Sequence, residues 1–346
     1  MEQSRREFIR NSAAGISVAV AGWPGSRVHG APDATRASAG GCPPDVRDAL
    51  SGPWPSIRTP FTKSGEIDYG ALRKMIDFMI EEGKAKAVVL TCGDSLFTVL
   101  TDDEIARLTK DVASCLKKRA YFVAATSDRW WTGKSVEFAK YCRAAGADML
   151  MALPPDWAHS TTVDSLVSYY QAVSEHIPVM VVTNYLNARG TAFGLELIGR
   201  LLREAPRVIA LKDDVCGEFI RKAALLAHGR WAMSAGGQKQ NHMNMLPYGA
   251  DGYLSTFLTF KPEIARCYWR AVEARDLTAA AAVIRDYDMP FFEHIIKTEG
   301  SFDAAMHGVY ELYGLAERWR RPPYHSLSYA QMERLSGFLK SKKLLS

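Results

Sequence analysis

From Trp54 onwards, short apolar runs alternate with longer stretches in which apolar residues recur at helical spacing. Short apolar runs are typical of strands buried on both faces, and the longer pattern is typical of helices packed on a core. The pattern predicts strands at 55–61, 87–90, 121–125, 149–153, 178–183, 208–212, 231–234 and 252–256, and helices at 68–82, 102–116, 134–145, 164–175, 195–204, 219–228, 241–248 and 261–274. Such regular alternation indicates a parallel sheet.

The number of repeating units narrows the fold class. Eight strand–helix units within residues 54–275 favour an α/β fold of the closed (β/α)8 TIM barrel type over an open doubly wound sheet. No G-x-G-x-x-G motif follows an early strand, which argues against a dinucleotide-binding fold. After Arg275 the pattern predicts helices alone, so residues 276–346 are expected to form a C-terminal helical extension.

The start of the chain has a different composition. Arg5 and Arg6 precede Phe8 and a mildly apolar stretch, residues 12–23, which is too short to span a bilayer as a stable helix. This order resembles a bacterial twin-arginine export signal, and an ordinary basic N-terminus is the alternative. Ala37-Ser38-Ala39 offers a cleavage site.

These features divide the chain into four parts. We expect a signal peptide at 1–39, a linker rich in Gly, Pro, Ala and Ser at 40–53, the barrel at 54–275 and the helical region at 276–346. The expected partner of the signal is the twin-arginine export machinery, and the mature protein is expected in the periplasm or outside the cell. No stable membrane anchor is expected.

Charge and cysteine spacing exclude several classes of function. The chain has 43 Lys and Arg against 38 Asp and Glu, and no basic block with interleaved aromatic residues, so nucleic acid is not an expected partner. The 6 cysteines include no close-spaced pair, which argues against a zinc ribbon or a C-x-x-C redox site. No His, Asp and Glu set has metal-ligand spacing, so we expect no metal.

One predicted strand ends in a lysine. The apolar run Val208–Leu211 leads directly into Lys212, and Asp213 and Asp214 follow. Desolvation at such a position favours the neutral amine, which can attack a carbonyl carbon and form a Schiff base. The alternative is a lysine that reaches out of the strand end and pairs with one of the two aspartates.

Polar residues and glycines gather at the predicted strand ends, where barrel enzymes carry their chemistry. They are Thr59–Phe61, Thr91–Ser95, Thr126–Ser127, Pro154–Trp157, Thr183–Tyr185, Ser234–Gly237 and Ser255–Thr256. Lys212 is expected to point into this polar mouth. A loop such as Thr91–Ser95 can bind an anion through its backbone N–H groups.

In this order, the motifs resemble those of the dihydrodipicolinate synthase / N-acetylneuraminate lyase family of class I aldolases. Thr59–Phe61 with Gly65–Asp68 is similar to the T-P-F … G-x-I-D start of that family, and Thr91–Ser95 resembles its T-T-G-E-S loop. Ile209–Asp213 is similar to its G-I-K-D/E strand, and Gly249–Gly252 matches its G-A-D-G element. The resemblance covers nearly everything from Trp54 to the C-terminus.

The resemblance implies a Schiff-base mechanism. Lys212 would form a covalent imine with pyruvate, another 2-keto acid or a keto-sugar acid, so no separate cofactor is expected. Thr91 would act in catalysis, and Cys92, Gly93 and Asp94 would hold the substrate carboxylate. Members of the family commonly form oligomers, so a homodimer or homotetramer is expected. Trp130, Trp131 and Trp157 are expected either to lie in its interface or to stack on a flat or sugar-like ligand.

The sequence departs from the family at the two tyrosines that relay protons. Val182 or Thr183 occupies the position of the tyrosine that follows the fifth strand, and Trp157 stands near that of the second. Tyr185 is the nearest phenol and is the expected catalytic substitute, with a tyrosine packed on the rim as the alternative. Thr183, Trp157 and Ser234 are expected to bind substrate. Arg189 lies near the position where synthases hold the carboxylate of a second substrate.

Two functions therefore remain open. The first is a Schiff-base-forming lyase, either an aldolase or a dehydratase/synthase. The second is a catalytically impaired periplasmic binding protein for a keto acid or sugar acid, since the lysine is retained while both relay tyrosines are missing.

Overall fold

The computed structural model describes residues 41–345. The predicted signal peptide at 1–39 lies outside the described residues. The expected linker at 40–53 is wrong for the part that the structure describes, because α1, Pro44–Ala49, and β1, Gly52–Trp54, lie within it. Arg47 of α1 donates to both carboxylate oxygens of Asp251 at 2.9 Å, which ties this segment to the barrel.

The other elements follow in the predicted alternation. The strands are β2 Ala87–Val89, β3 Tyr121–Ala125, β4 Met149–Ala152, β5 Val179–Val182, β6 Val208–Asp213, β7 Ala232–Ala235 and β8 Gly252–Leu254. The barrel helices are α2 Tyr69–Glu81, α3 Asp102–Leu116, α4 Thr132–Ala145, α5 Val163–Ser174, α6 Asn184–Arg189, α7 Thr191–Glu204, α8 Glu218–Ala227, α9 Lys239–Met245 and α10 Pro262–Glu273. The C-terminal helices are α11 Leu277–Val283, α12 Met289–Glu293, α13 Phe302–Leu312 and α14 Tyr329–Ser341.

The eight described strands pair in parallel in the order β1-β8-β7-β6-β5-β4-β3-β2. The ring closes just beyond β1, where Ile57 N donates to Val89 O at 2.9 Å and Val89 N donates to Pro55 O at 3.1 Å. The expected TIM barrel with a C-terminal helical extension is therefore confirmed.

The first strand lies earlier than predicted. The prediction was 55–61, whereas β1 is Gly52–Trp54 and residues 55–61 make only isolated bridges, Ser56 with Val89 and Phe61 with Ile67. Pro55 and Pro60 have no backbone N–H to donate to a neighbouring strand, which limits regular pairing in this segment.

The strands form a core that is buried on both faces, as expected for a parallel sheet. All six residues of β6 are buried, as are all four of β4 and of β5. The amphipathic helices cover this barrel. α3, for example, begins with a capping box between Thr101 and Glu104 and buries Ile105 and Leu108.

The C-terminal helices lie against the end of the barrel at which the strands terminate. Phe292 of α12 and Phe302 of α13 line a cavity there, together with Ile296 of the π-helical segment His294–Thr298, which continues from α12. Within residues 41–345, every helix is too short or too polar to cross a membrane.

Candidate active site

A cavity of about 350 Å³ opens at the carboxyl ends of the strands. Polar groups from several strand ends meet apolar side chains from the C-terminal helices around it. It is lined by Arg58, Thr91, Cys92, Gly93, Asp94, Ala125, Thr126, Met151, Leu153, Val182, Asn184, Lys212, Asp214, Gly236, Gly237, Gln238, Asn241, Leu254, Thr256, Phe292, Ile296 and Phe302. A concave, partly apolar site with a few converging polar groups is typical of a small-molecule site.

Lys212 lies in the wall of this cavity near the end of β6. Its residue is only 4% exposed, and its Nζ donates to Asp214 Oδ1 at 2.5 Å. The sequence predicted either a lysine that points into the polar mouth or a lysine paired with an aspartate. In the structure Lys212 does both, since it faces the cavity and is paired with Asp214. The neighbouring strands are apolar, and within residues 41–345 Asp214 is the ion-pair partner of this amine.

The two aspartates after Lys212 have different surroundings. Asp213 is 1% exposed and accepts from the N–H groups of Val215, at 3.0 Å, and of Cys216, at 2.5 Å, so it holds the turn that follows β6. Asp214 lines the cavity, and its side chain is 35% exposed.

The ionisation of Asp214 reflects opposing effects. Burial raises its pKa, whereas the charge and hydrogen bond of Lys212 and a hydrogen bond from Asn184 lower it, and the result lies below the usual carboxyl value. Asp214 is therefore a carboxylate at neutral pH. This carboxylate is the charged partner that the amine of Lys212 faces in the cavity.

The loop after β2 lies on the opposite part of the cavity wall. Asp94 N donates to Thr91 Oγ1 at 2.9 Å, and Thr91 N donates to Ser95 Oγ at 3.1 Å, which fixes a tight turn. Thr91, Cys92, Gly93 and Asp94 all line the cavity, so the structure brings this predicted group together with Lys212.

Two side chains of this loop are constrained by their neighbours. Asp94 accepts from Ser56 Oγ at 2.5 Å and from Arg58 Nη2 at 3.1 Å. Burial raises the pKa of the Cys92 thiol to about 11, so it is a neutral thiol at physiological pH. Asp94 is therefore less available as a base than an unpaired carboxylate, and Cys92 is not a thiolate base.

The structure does not bring Tyr185 to this cavity. Its hydroxyl lies 3.1 Å from that of Tyr170 on α5, and burial raises the pKa of its phenol. The chain turns into α6 at Asn184, directly after β5, and this helix carries Tyr185 towards α5. The expectation that Tyr185 is a catalytic substitute is therefore wrong for this conformation, and its alternative, a packed rim tyrosine, describes the structure.

Val182 occupies the place beside Lys212. The two residues are partners in the register between β5 and β6, and Val182 lines the cavity. Thr183, the other residue considered for this position, is fully buried and donates its hydroxyl to Asp213 Oδ1, behind the cavity wall. An aliphatic side chain thus stands next to the amine.

Three further residues expected to bind substrate lie away from the cavity lining. Arg189 donates to both carboxylate oxygens of Asp156 at 3.0 Å and lies over the Phe193 ring, so it joins the end of α6 to the loop that follows β4. Trp157 is 89% exposed. Ser234 is the register partner of Lys212 on β7, but it is buried and is not part of the lining.

Other lining residues were not expected to bind substrate. Asn184 and Thr256 are among the strand-end residues named from the sequence, Gln238 follows β7, and Asn241 lies in the first turn of α9. Phe292, Ile296 and Phe302 come from helices that the sequence pattern does not connect to the barrel mouth. Among the residues that the structure describes, no group of three His, Cys, Asp or Glu is placed to hold a metal ion.

The family model described as the dihydrodipicolinate synthetase family matches residues 49–342. The chain belongs to this family. The matched range includes the whole barrel, the lysine strand and the C-terminal helices. The family and the lyase class expected from the sequence are thereby confirmed.

The relatives of this chain are named for several different activities. The chain is 30% identical over 243 residues to 4-hydroxy-tetrahydrodipicolinate synthase 1 of Streptomyces coelicolor, which covers 69% of this chain and 76% of the relative. It is 24% identical over 285 residues to a probable 5-dehydro-4-deoxyglucarate dehydratase of Bradyrhizobium diazoefficiens, and the match covers 82% of this chain and 89% of the relative. Among solved structures, a putative dihydrodipicolinate synthetase from Pseudomonas aeruginosa gives a TM-score of 0.74 at 25% identity, covering 85% of this chain and 99% of that one.

Proposed function

We propose that this protein is a Schiff-base-forming lyase that acts on pyruvate, another 2-keto acid or a keto-sugar acid through Lys212. The observation that carries the proposal is the placement of Lys212. Its amine faces the cavity at the carboxyl end of β6, with a carboxylate 2.5 Å away that can accept a proton from it. An amine must lose a proton before it can attack a carbonyl carbon.

The loop Thr91–Asp94 supports the substrate class. It lines the same cavity as Lys212. The N–H groups of Thr91 and Asp94 are donated within the loop, so those of Cys92 and Gly93, with the Thr91 hydroxyl, are the groups that can hold the carboxylate of a keto acid. Holding the carboxylate fixes the keto carbon relative to the amine, which makes the attack effectively intramolecular. The imine is the electron sink in this chemistry, so no separate cofactor is proposed.

Polar side chains that follow β7 and β8 favour a hydroxylated substrate. Gln238, Asn241 and Thr256 line the cavity, and the Gln238 amide with the side-chain oxygens of Asn241 and Thr256 can bind the hydroxyls of a sugar-derived chain. The named relatives include both a synthase and a dehydratase acting on a deoxyglucarate derivative. We therefore propose cleavage or formation of a carbon–carbon bond, or loss of water, on the same imine.

Borohydride trapping tests the proposal. The protein is incubated with pyruvate, 2-ketobutyrate or a 2-keto-3-deoxy sugar acid, reduced, and measured by intact mass. The expected result is a mass gain equal to the reduced adduct with at least one of these acids. No gain with any of them would overturn the Schiff-base proposal.

The binding-protein alternative rests on a specific observation. Val182 stands beside Lys212, and Tyr185 lies outside the cavity, so the described site lacks the expected relay phenol next to the amine. If keto acids bind by calorimetry but leave no adduct after reduction, this alternative replaces the lyase proposal.

We also propose that residues 1–39 direct export through the twin-arginine route to the periplasm or beyond. The support is the order of Arg5, Arg6 and Phe8 in the sequence. Fused to a reporter, residues 1–45 should deliver it to the periplasm of a host with this machinery, and a variant with both Arg5→Lys and Arg6→Lys should not. Export by the double variant would show that the arginine pair is incidental.

Finally, we propose that the protein is a homodimer or homotetramer. Trp131 and Trp157 are 71% and 89% exposed, which is unusual for residues of this size and suits an interface. Trp130, by contrast, is buried and donates to Asp102 at 2.8 Å. Sedimentation at micromolar concentration should show an oligomer, and Trp157→Ser should weaken it. A monomer in the unsubstituted protein would contradict this proposal.

A further inference from the structure

The cavity raises the question of which group moves protons during turnover. Two carboxylates belong to the lining of the cavity in the described chain, Asp94 and Asp214. Asp94 is held by Arg58 and Ser56, whereas Asp214 contacts the amine of Lys212 directly. The neighbouring position across the sheet is Val182, which cannot exchange a proton.

We propose that Asp214 is a catalytic residue that transfers protons to and from the imine and its adjacent carbon. This inference rests on the proposed Schiff-base function of Lys212. Proton transfer is thus assigned to a carboxylate two residues beyond the lysine, whereas the sequence predicted Tyr185 for this role. A carboxylate can perform general acid–base work when it lies within hydrogen-bond reach of the reacting group.

The local backbone is built around this contact. A Cβ atom at Gly236 would lie 1.8 Å from Asp214 Oδ1, so the carboxylate occupies space that any side chain at this position would fill. Asn241 Nδ2 donates to the backbone oxygen of Asp214 at 3.1 Å and to that of Gly236 at 3.3 Å. These hydrogen bonds join the ends of β6 and β7 and hold Asp214 beside Lys212.

The hydrogen bonds around Asp213 complete this support. Asp213 accepts from the turn N–H groups of Val215 and Cys216 and from the hydroxyl of Thr183. It therefore points away from the cavity, while the next side chain points into it. Of the two adjacent aspartates, one fixes the backbone and the other is available for chemistry.

With pyruvate, the first stage forms the iminium ion. The ammonium group of Lys212 gives a proton to Asp214, and the Nζ lone pair bonds to C2. The π pair of the C2 carbonyl moves to oxygen, which takes a second hydrogen from Nζ. Asp214 then returns its proton to that oxygen, which leaves as water, and the C2=Nζ bond forms.

The second stage forms the enamine. The carboxylate of Asp214 takes a proton from C3, and the C3–H electron pair becomes the C2=C3 bond. The π pair of the iminium returns to Nζ, which neutralises it. When the protonated Asp214 exchanges with solvent and returns a deuteron, C3 becomes deuterated without any net reaction.

This exchange gives a direct test. The protein is incubated with pyruvate in D₂O, and the loss of the methyl proton signal is followed by NMR, while borohydride trapping is measured in parallel. For Asp214→Asn, we expect the exchange rate to fall by about 10²–10⁴-fold, the usual range for a lost general base. Trapping at long incubation should remain, because Lys212 is still present.

Two further variants separate catalysis from structure. Asp214→Ala should regain part of the exchange when sodium formate is added, since a small carboxylate can enter the vacated space. Glu218→Gln removes an exposed carboxylate on the first turn of α8, which lies outside the cavity lining, and should leave both exchange and trapping unchanged.

Each outcome decides a specific point. Exchange by Asp214→Asn within about threefold of the unsubstituted rate would overturn the role of Asp214. Loss of both trapping and exchange in Asp214→Asn, with no rescue of Asp214→Ala by formate, would make Asp214 a positioning residue and would also overturn its catalytic role. If the unsubstituted protein neither traps nor exchanges, the proposed function itself fails.

Discussion

Lys212→Ala is expected to abolish the borohydride adduct completely with every 2-keto acid that labels the unsubstituted protein. The adduct requires a nucleophilic amine within the cavity, and in the described chain Lys212 is the lysine that lines it. Intact mass spectrometry measures the loss, and circular dichroism checks that the fold persists. The remaining Asp214 side chain is 35% exposed, so solvent can partly compensate for its lost partner.

A matched variant makes this result specific. Lys222→Ala removes an exposed lysine on α8 whose partner is Glu218, so it should be trapped to the same extent as the unsubstituted protein. An adduct that persists in Lys212→Ala would contradict the assignment, and peptide mapping would then locate the reacting lysine.

Asp288→Ala is expected to lower the free energy of unfolding by about 3–5 kcal/mol, because it leaves a buried lysine without its charged partner. Lys239 and Asp288 are 1% and 0% exposed. Lys239 Nζ lies 3.0 Å from Asp288 Oδ1, and its backbone N donates to Oδ2 at 3.0 Å. Urea denaturation followed by fluorescence measures the change.

A double variant distinguishes the lost pair from a packing defect. Lys239→Met with Asp288→Leu replaces both charges by apolar groups, and such replacements of a buried pair are often neutral or stabilising. It should therefore recover part of the stability that Asp288→Ala loses, the remainder being the hydrogen bond from the Lys239 backbone N–H to Asp288, which Leu cannot accept. Asp286→Ala, two positions away on the exposed side of the same turn, should have little effect. A loss below about 1 kcal/mol in Asp288→Ala would contradict the importance of the pair.

The barrel elements were predictable where local signals agree. Helix Asp102–Leu116 and strand Tyr121–Ala125 have the bounds that the pattern predicted. The helix has a capping box and a clear apolar face, and the strand is a short apolar run. The first strand was misplaced because its extent depends on partners far along the chain, Gly252 and Leu254, which no local pattern reveals.

The site was predictable to the extent that strand ends define it. Lys212 and the loop Thr91–Asp94 meet at the cavity because parallel strands end on one side of the barrel. The direction of Tyr185 was not predictable, since it depends on α6 starting at Asn184. Arg189 was misassigned for a similar reason, because its partner Asp156 lies on the loop that follows β4, far from Arg189 in the sequence.

Closure of the ring bears on when the protein can fold during its synthesis. β1 pairs with β8 at Gly52 with Gly252, so the first strand has no neighbour on that side until the last strand has left the ribosome. Until then, the edges of the growing sheet expose unpaired backbone groups that can pair with other chains. The nascent chain therefore needs its sheet edges protected until nearly the whole barrel has been made. Pairing of β1 with β8 in the completed ring leaves no unpaired strand edge among the eight described strands.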